Sequence, residues 1–345
     1  MSRPGGGAEH ERDSDAASGE SLAAARTEPI ARPAPGPSVG DSPRELLALA
    51  RDLALAAGGP LLESFGEGSA TEIDSKSTPT DLVSDADRHA ERTIREGLAS
   101  RRPHDGFLGE ESGAGEGESG LRWVVDPLDG TVNFLFGIPQ WCVSIAVEDA
   151  RGTLAGVIYD PVRGDLFCAV RGGPPTVELA CTAASEDSVT GERVDVGGRL
   201  AGGQRAAADV KAAIGGGLAR RGQTATLTAS RCTTPATAMV ATGFAYDARV
   251  RAAQAAVLAR VMPQVRDIRR FGSAALDLAW TAAGRYDAYY ERTVKPWDIA
   301  AGTLLCEAAG LRVVELPVHE SLPWGILVAP PGLCEALLEL VGGPA

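Results

Sequence analysis

Residues 123–131 read Trp-Val-Val-Asp-Pro-Leu-Asp-Gly-Thr, an apolar run that ends in two carboxylates, Asp126 and Asp129. The pattern predicts a buried strand and then a turn, where Gly130 and Thr131 could offer backbone N–H groups to an anion. Mg²⁺ prefers oxygen ligands and is commonly held by one or two carboxylates together with a substrate phosphate. An Asp-rich turn that closes a strand explains the same residues without any ligand. Taken alone, the stretch leaves both interpretations open.

The composition of the chain narrows the classes of protein that it could be. It has 345 residues, of which 44% are hydrophobic, a composition typical of a globular protein with a core. Its formal net charge of −13 argues against general binding to nucleic acids or membrane surfaces, because such binding needs basic patches. Six scattered cysteines and four separated histidines show no metal-ligand spacing, so we expect reduced thiols and no zinc site.

Neither a targeting signal nor a membrane-spanning segment is indicated by the sequence. The first residues lack the basic stretch and apolar core of a signal peptide, and no run approaches the roughly 18 apolar residues of a membrane span. We therefore expect a cytoplasmic protein with neither nucleic-acid nor membrane partners.

Changes in composition along the chain predict four regions. Residues 1–41 are rich in Gly, Pro, Ala, Ser and charge without an apolar period, which predicts a disordered tail. Residues 42–171 predict an N-terminal α+β part with the metal site, and residues 236–345 predict a C-terminal α/β part. Residues 172–235 have little periodicity and many turn residues, so we interpret them as a divergent, insert-like segment. Because strands and helices alternate, we expect an α/β or layered α+β architecture.

Two helix starts are predicted in the N-terminal part. The segment Ser42-Pro43-Arg44-Glu45 has the residues of a capping box, with Pro at the first helical position. A second helix opens near Ser84 and places Asp87 in its first turn, where the helix dipole favours a negative charge. That structural role is enough by itself to explain an aspartate at this position.

Five acidic residues share one kind of position, because each ends a predicted strand or starts a predicted helix. They are Glu110, Asp126, Asp129, Glu291 and Asp298. Such ends gather on one edge of an open α/β sheet, where ligands usually bind. Clustered carboxylates repel each other unless cations neutralise them, so the pattern favours a cation site. Each residue taken singly still fits a turn, a solvated strand end or a helix start.

Three ordered motifs strengthen this hypothesis: Gly109-Glu110-Glu111-Ser112, Asp126-Pro127-Leu128-Asp129-Gly130-Thr131 and Trp297-Asp298-Ile299-Ala300-Ala301-Gly302. Shorter matches stand at residues 81–87, 272–275 and 289–291. In order and spacing, the motifs resemble those of the inositol monophosphatase family of Mg²⁺-dependent, lithium-sensitive phosphatases. The resemblance covers residues 42–171 and 236–342, and it implies that family's alternating αβαβα sandwich.

The resemblance also implies the ligands of two or three Mg²⁺ ions. By their places in the motifs, Glu110, Asp126 and the backbone carbonyl of Leu128 would bind the first ion. Asp126, Asp129 and Asp298 would bind the second. A third, weaker ion is expected near Glu110.

Catalytic and substrate-binding residues are implied in the same way. Thr131 and Asp87 would orient the attacking water and help to deprotonate it, with Glu110 as a third catalytic residue. The N–H groups of Gly130 and Thr131 would hold phosphate oxygens. The residues implied in binding the alcohol part of the substrate are Gly272, Ser273, Ala274 and Glu291, with contributions from Asp129 and Asp298.

The expected activity is hydrolysis of a small sugar or polyol phosphate, with myo-inositol 1-phosphate as the favoured substrate. Histidinol-phosphate phosphatase and 3′,5′-bisphosphate nucleotidase activities are alternatives within the same superfamily. A regulatory or RNA-associated member that does not depend on catalysis is the alternative from another class. The resemblance further suggests a homodimer.

The chain departs from the family pattern after the predicted hairpin that ends near residue 170. Family members continue with a Gly-Ala turn and an Asn-Gly turn, whereas Gly172-Gly173-Pro174-Pro175 leads into unfamiliar sequence here. Residues 172–235 are also longer than the family pattern, so the resemblance does not predict their local fold. None of the implied metal ligands lies in this segment.

Overall fold

The computed structural model of the protein describes residues 42–65, 73–75, 82–179 and 224–342. The predictions for the tail of residues 1–41 and for most of the 172–235 segment lie outside the described residues.

The described residues form helices and strands in alternation. Seven α-helices are present: α1 Pro43–Ser64, α2 Asp85–Arg101, α3 Thr131–Leu135, α4 Ala248–Val261, α5 Ala274–Ala282, α6 Pro296–Ala308 and α7 Pro331–Val341. The strands are β1 Ile73–Ser75, β2 Leu82–Ser84, β3 Gly106–Gly109, β4 Gly113–Gly115, β5 Arg122–Asp129, β6 Cys142–Asp149, β7 Gly152–Asp160, β8 Asp165–Val170, β9 Thr176–Leu179, β10 Thr224–Thr226, β11 Met239–Thr242, β12 Asp267–Arg269, β13 Ala288–Arg292, β14 Arg312–Leu316 and β15 Gly325–Ala329.

The strands build two mixed sheets and one short hairpin. The large sheet has eight strands in the order β10-β9-β8-β7-β6-β5-β3-β4, and only its β3–β5 pair is parallel. The small sheet has five strands in the order β12-β11-β13-β15-β14, with β11 parallel to both of its neighbours. The hairpin is the antiparallel pair β1–β2.

Five layers of helices and sheets pack around three apolar cores, of which the middle one contacts both sheets. Helices α1 and α2 cover the outer face of the large sheet, and α5 and α6 lie between the two sheets. Helices α4 and α7 cover the outer face of the small sheet. The layered α+β fold and its αβαβα order are therefore confirmed.

The sequence of β5 shows why the large sheet is buried on both faces. Successive side chains of a strand point to opposite faces, so a strand between two helical layers is apolar throughout. Trp123 and Val125 pack in the core with α1 and α2, whereas Val124 packs in the core with α5 and α6. The apolar residues 123–125, which precede Asp126, are thus explained by the position of the strand between two helical layers.

Two glycines let helix α6 approach its neighbours closely. A Cβ on Gly156 of β7 would lie 2.9 Å from the Cα of Ala301, and a Cβ on Gly302 would lie 2.6 Å from the Cβ of Leu278 in α5. Backbone and side chain can come this near only where no side chain intervenes. This contact sets how far the first turn of α6, which carries Asp298, lies from the large sheet.

The predicted helix starts are confirmed, and the predicted strand extends beyond its apolar run. Ser42 Oγ accepts from Glu45 N at 3.3 Å, and Glu45 Oε2 accepts from Ser42 N at 2.8 Å. Strand β5 continues to Asp129, and it advances three residues between its pairings with β6 while β6 advances two. Pro127 cannot donate to the sheet, so the strand bulges there rather than ending. The chain turns only at Gly130, whose φ is +98°.

Strands that the sequence did not predict extend the large sheet at its edge. Strands β9 and β10 come from the two ends of the 172–235 segment and pair with each other in antiparallel fashion. Strand β9 also pairs with β8. The ends of this segment are therefore part of the sheet, while residues 180–223 lie outside the described residues.

Candidate metal and phosphate site

The bulge of β5 presents the central residues of the motif. Asp126 and Asp129 are 2% and 8% exposed, and Leu128 between them is fully buried. Leu128 N donates to Asp126 Oδ1 at 3.0 Å, and the Leu128 carbonyl accepts from Thr131 Oγ1 at 3.0 Å. A bulge bends its strand and changes the direction of the side chains around it. Both carboxylates and the carbonyl of Leu128 belong to this bulged stretch.

Thr131 and Asp87 meet although 44 positions separate them in the chain. Thr131 begins α3, Asp87 lies in the first turn of α2, and Thr131 Oγ1 lies 2.8 Å from Asp87 Oδ1. Asp87 is fully buried. The hydroxyl has one proton, so it donates to Asp87 or to the Leu128 carbonyl at any moment and keeps lone pairs free to accept.

The start of helix α5 lies directly against Asp129. Ser273 Oγ donates to Asp129 Oδ2 at 2.6 Å, and Ala275 N donates to the same oxygen at 2.7 Å. Ala274 N lies 3.3 Å from Asp129 Oδ1. Gly272 precedes these residues with a φ of +84°, a conformation that favours glycine. The structure thus brings Gly272, Ser273 and Ala274 to Asp129.

Glu110 and Asp298 complete a cluster of four carboxylates. Glu110 directly follows β3, the parallel neighbour of β5, and its N–H donates to the Val125 carbonyl. Asp298 lies in the first turn of α6, where its Oδ2 accepts from Lys295 N at 2.7 Å. The cluster therefore draws on the large sheet and on the helix layer between the sheets.

The carboxylates raise one another's pKa values. Burial raises the pKa of Asp126 well above its usual range, and the charges of Glu110 and Asp129 raise it further. Burial raises the pKa of Asp129 to about 6, against the lowering effect of its bonds to Ser273 and Ala275. Asp298 is half-buried, and burial and then the charge of Asp129 raise its pKa well above the usual range. Such mutual repulsion is what an added cation relieves.

Glu291 lies at the side of this cluster, on the small sheet. Its Oε2 accepts from the Tyr289 hydroxyl at 2.8 Å. Burial raises the pKa of Glu291 to about 7, while the bond from Tyr289 lowers it and the charge of Asp129 raises it. The expectation that all five acidic residues lie on one edge of a single open sheet is therefore wrong. The large sheet, the small sheet and helix α6 supply them, because α5 and α6 pack between the two sheets.

The donor chemistry of the cluster fits a hard divalent cation. Its side chains are all carboxylates, and within the described ranges no Arg, Lys or His forms an ion pair with Asp126, Asp129 or Asp298. Among the described residues, no three His, Cys, Asp or Glu side chains are placed as the ligands of one metal ion. The oxygens of the cluster instead accept backbone and hydroxyl hydrogen bonds, which a bound cation would have to replace in part.

Several residues that support the site were not predicted from the sequence. Asn133 Nδ2 lies 2.7 Å from both the Gln140 and the Phe271 carbonyls, which ties α3 to the loop before α5. Glu91 Oε2 accepts from Glu111 N at 2.8 Å and fixes the backbone beside Glu110. These contacts join segments that are far apart in the chain, so no local pattern announces them.

Comparison with known proteins identifies the family. The model of the inositol monophosphatase family matches residues 42–337. The chain belongs to the inositol monophosphatase family. Membership of this family supports a phosphatase activity, and it agrees with the resemblance that the motifs indicate.

Relatives and solved structures within the inositol monophosphatase family carry two kinds of name. A Mycobacterium leprae protein named inositol-1-monophosphatase is 36% identical over 289 residues, which are 79% of this chain and 82% of that protein. A Pasteurella multocida protein named Nus factor SuhB is 34% identical over 288 residues, which are 82% of this chain and 90% of that protein. The crystal structure of extragenic suppressor protein suhB from Bartonella henselae matches with a TM-score of 0.68 at 31% identity, covering 86% of this chain and 98% of that one.

The helices of this family member also bear on the expectation about membranes. Among the residues that the structure describes, no helix combines the length and the apolar character that crossing a bilayer requires.

Proposed function

We propose that this protein hydrolyses a small phosphate monoester in a Mg²⁺-dependent reaction, with myo-inositol 1-phosphate as substrate. The observation that carries the proposal is the cluster of Glu110, Asp126, Asp129 and Asp298, whose mutual repulsion calls for cations. Relatives named inositol-1-monophosphatase support the substrate.

In this proposal the carboxylates of the cluster would hold two ions, with a third, weaker one near Glu110. Glu110, Asp126 and the Leu128 carbonyl would hold the first, and Asp126, Asp129 and Asp298 would hold the second. When bound, Mg²⁺ would make a coordinated water more acidic and neutralise charge on the reacting phosphate. Asp126, which is nearly fully buried at the centre of the bulge, would contribute to both ions.

The protein's own groups then position the water and the ester. Thr131 Oγ1 accepts a hydrogen bond from the water and, as it takes up the water proton, passes its own proton to Asp87 Oδ1, 2.8 Å away. Glu110 assists as a further acceptor beside the water. The N–H groups of Gly130 and Thr131 hold phosphate oxygens. The alcohol part of the substrate is bound by Gly272, Ser273, Ala274 and Glu291, with contributions from Asp129 and Asp298.

Phosphate release from a panel of esters tests this proposal. We expect hydrolysis of myo-inositol 1-phosphate to need Mg²⁺, to stop when a chelator removes it, and to be inhibited by added Li⁺. Histidinol phosphate and adenosine 3′,5′-bisphosphate belong in the same panel, because faster hydrolysis of either would replace the proposed substrate. Asp129→Ala removes a ligand of the second ion and is expected to abolish activity. Full activity of this variant would contradict the mechanism.

A regulatory role is the second candidate, because relatives carry the names Nus factor SuhB and extragenic suppressor protein suhB. A strain in which Asp129→Ala replaces the native protein separates the two roles. If the phenotype of a deletion is rescued by this variant, the biological role does not depend on hydrolysis. We also propose that the protein is a cytoplasmic homodimer. Light scattering of the purified protein tests the dimer, and cell fractionation tests the location.

A further inference from the structure

Gly243 lies against the carboxylate of Glu291. It directly follows β11, where Thr242 pairs in parallel with Tyr290 of β13, so Gly243 comes next to Glu291 across the small sheet. A Cβ built on Gly243 would stand 2.1 Å from the carboxyl carbon and from both carboxylate oxygens. The side chain of Glu291 therefore lies across the position that any other residue would fill.

The backbone itself does not require glycine at this position. Gly243 is not among the glycines with positive φ, so an L side chain is compatible with its conformation. The three atoms nearest to its missing Cβ all belong to the Glu291 carboxylate. The glycine at position 243 therefore leaves space for the Glu291 carboxylate.

We propose that Gly243 is a positioning residue that sets substrate selectivity. It leaves the Glu291 carboxylate in a position where this group accepts a hydrogen bond from a hydroxyl of a neutral polyol. The inference rests on the proposed phosphatase function. Tyr289 is fully buried, and its hydroxyl donates to Glu291 Oε2, so the carboxylate is held between this phenol and the bare backbone of Gly243. No hydrogen bond from the described residues reaches Oε1, which is left to accept from a ligand.

The position of this oxygen relative to the carboxylate cluster suits the alcohol part of a phosphate ester. Besides burial, the charge of Asp129 raises the pKa of Glu291 while that of Arg270 lowers it, and the charge of Glu291 raises the pKa of Asp298, so Glu291 lies within electrostatic reach of the cluster. A phosphate bound at the cluster would place its alcohol toward Glu291. A carboxylate that meets the alcohol there selects for hydroxyl donors.

An alanine at position 243 is expected to move the side chain of Glu291 and leave the fold intact. The clash falls on the far end of a flexible side chain, which can rotate away from the added methyl group. Gly325 offers the contrast, since its Cβ would lie 2.1 Å from the Glu291 backbone oxygen and 2.6 Å from the Arg292 Cα. Backbone atoms within a sheet cannot move aside in that way.

Steady-state kinetics with two esters test the inference. With Mg²⁺ present, Gly243→Ala is expected to raise KM for myo-inositol 1-phosphate about 10-fold or more, the cost of a lost hydrogen bond to a charged group. For phenyl phosphate, which has no hydroxyl on its leaving group, we expect KM to change less than about twofold. Gly59→Ala is the matched control, because a Cβ at Gly59 meets nothing within 4 Å.

A double-mutant cycle shows whether Gly243 acts through Glu291. In a Glu291→Ala background, Gly243→Ala should change KM for the inositol ester by less than about twofold, since the group that it displaces is absent. Additive effects, equal effects on both esters, or a Gly243→Ala protein that fails to fold would each overturn the inference. A wild-type protein that hydrolyses neither ester would overturn the proposed function and this inference together. If the wild type is active but Gly243→Ala changes KM equally for the two esters, only the inference about Gly243 would be overturned.

Discussion

The single buried carboxylate of Asp105 and the cluster of four carboxylates both border strand β5, and they differ in how the protein compensates their charge. The side chain of Asp105 is 2% exposed and accepts from Arg102 Nε and Nη2 at 2.7 and 3.0 Å. Ser119 Oγ and Trp123 Nε1 donate to the same carboxylate at 2.6 and 2.8 Å. Asp105 thus has a cation and two further donors from the protein itself.

The carboxylate cluster has the opposite arrangement. Within the described residues, no arginine or lysine pairs with Asp126, Asp129 or Asp298, and the pKa of each is raised by burial and by its neighbours. A buried charge that serves the fold is matched by the fold, because an unmatched one destabilises it. The difference supports the proposal that the cluster binds an external cation, whereas the partners of Asp105 point to a structural role.

The largest expected effect comes from neutralising the centre of the cluster. Asp126→Asn removes a ligand shared by both proposed ions, so kcat/KM for myo-inositol 1-phosphate should fall about 1,000-fold or more, equivalent to about 4 kcal/mol. Without divalent cations, the free energy of unfolding should stay constant or rise, because one of the repelling charges is gone. Chemical denaturation measures it, and a large loss of stability would erase the contrast with Asp105.

The reverse pattern is expected at Asp105. Asp105→Ala leaves the Arg102 guanidinium and the Trp123 N–H without their acceptor, and it should lower the free energy of unfolding by about 3 kcal/mol. Below the unfolding transition, kcat should change less than about twofold, because Asp105 has no contact with the cluster. Urea denaturation and initial-rate assays on the same preparation measure both quantities. Loss of activity without loss of stability would place Asp105 in the site.

A smaller effect is expected at the edge of the cluster. Thr131→Val keeps the shape of the side chain but removes the hydroxyl that contacts Asp87, so kcat should fall about 100-fold, or about 2.7 kcal/mol. Thr131→Ser restores the hydroxyl and should keep most of the activity. Single-turnover measurements at saturating Mg²⁺ check the difference. Equal activity of the valine and serine variants would remove Thr131 from catalysis.

The smallest effect belongs to Glu291, which has a hydrogen-bond donor but no ion pair among the described residues. Its pKa is raised to about 7, so the folded state binds more protons than the unfolded state between its ordinary value of 4.5 and 7. Stability contributed by the protonated carboxyl is therefore present below pH 4.5 and is lost as the pH rises through 7. Glu291→Gln should remove about 1 kcal/mol of this pH dependence in metal-free protein, since the group is partly exposed and solvent screens its charge.

Denaturation curves at several pH values, measured for the wild type and for Glu291→Gln, test this expectation. Parallel profiles for the two proteins would contradict it. Tyr289→Phe provides the matched control, because it removes the donor to Glu291 and should raise the pKa of this carboxylate further.

Much of the fold was predictable because its signals are local. The capping box at Ser42 is confirmed, the position of Asp87 in a first helical turn is confirmed, and the αβαβα order follows from the family motifs. Strand β5 extends beyond its apolar run to Asp129, because pairing with β6 continues past Pro127. The strands at the ends of the 172–235 segment gave no clear apolar pattern, because β9 has only four residues and β10, at the edge of the sheet, only three.

The sequence by itself determined which residues could hold a cation, because carboxylates at strand ends and in ordered motifs can be recognised one segment at a time. Only the tertiary structure decided how they meet. It places Thr131 against Asp87, the start of α5 against Asp129, and Gly243 beneath Glu291. These contacts depend on two sheets packing on a shared layer of helices, and that packing is settled by close-packed side chains from the whole chain rather than by any local pattern.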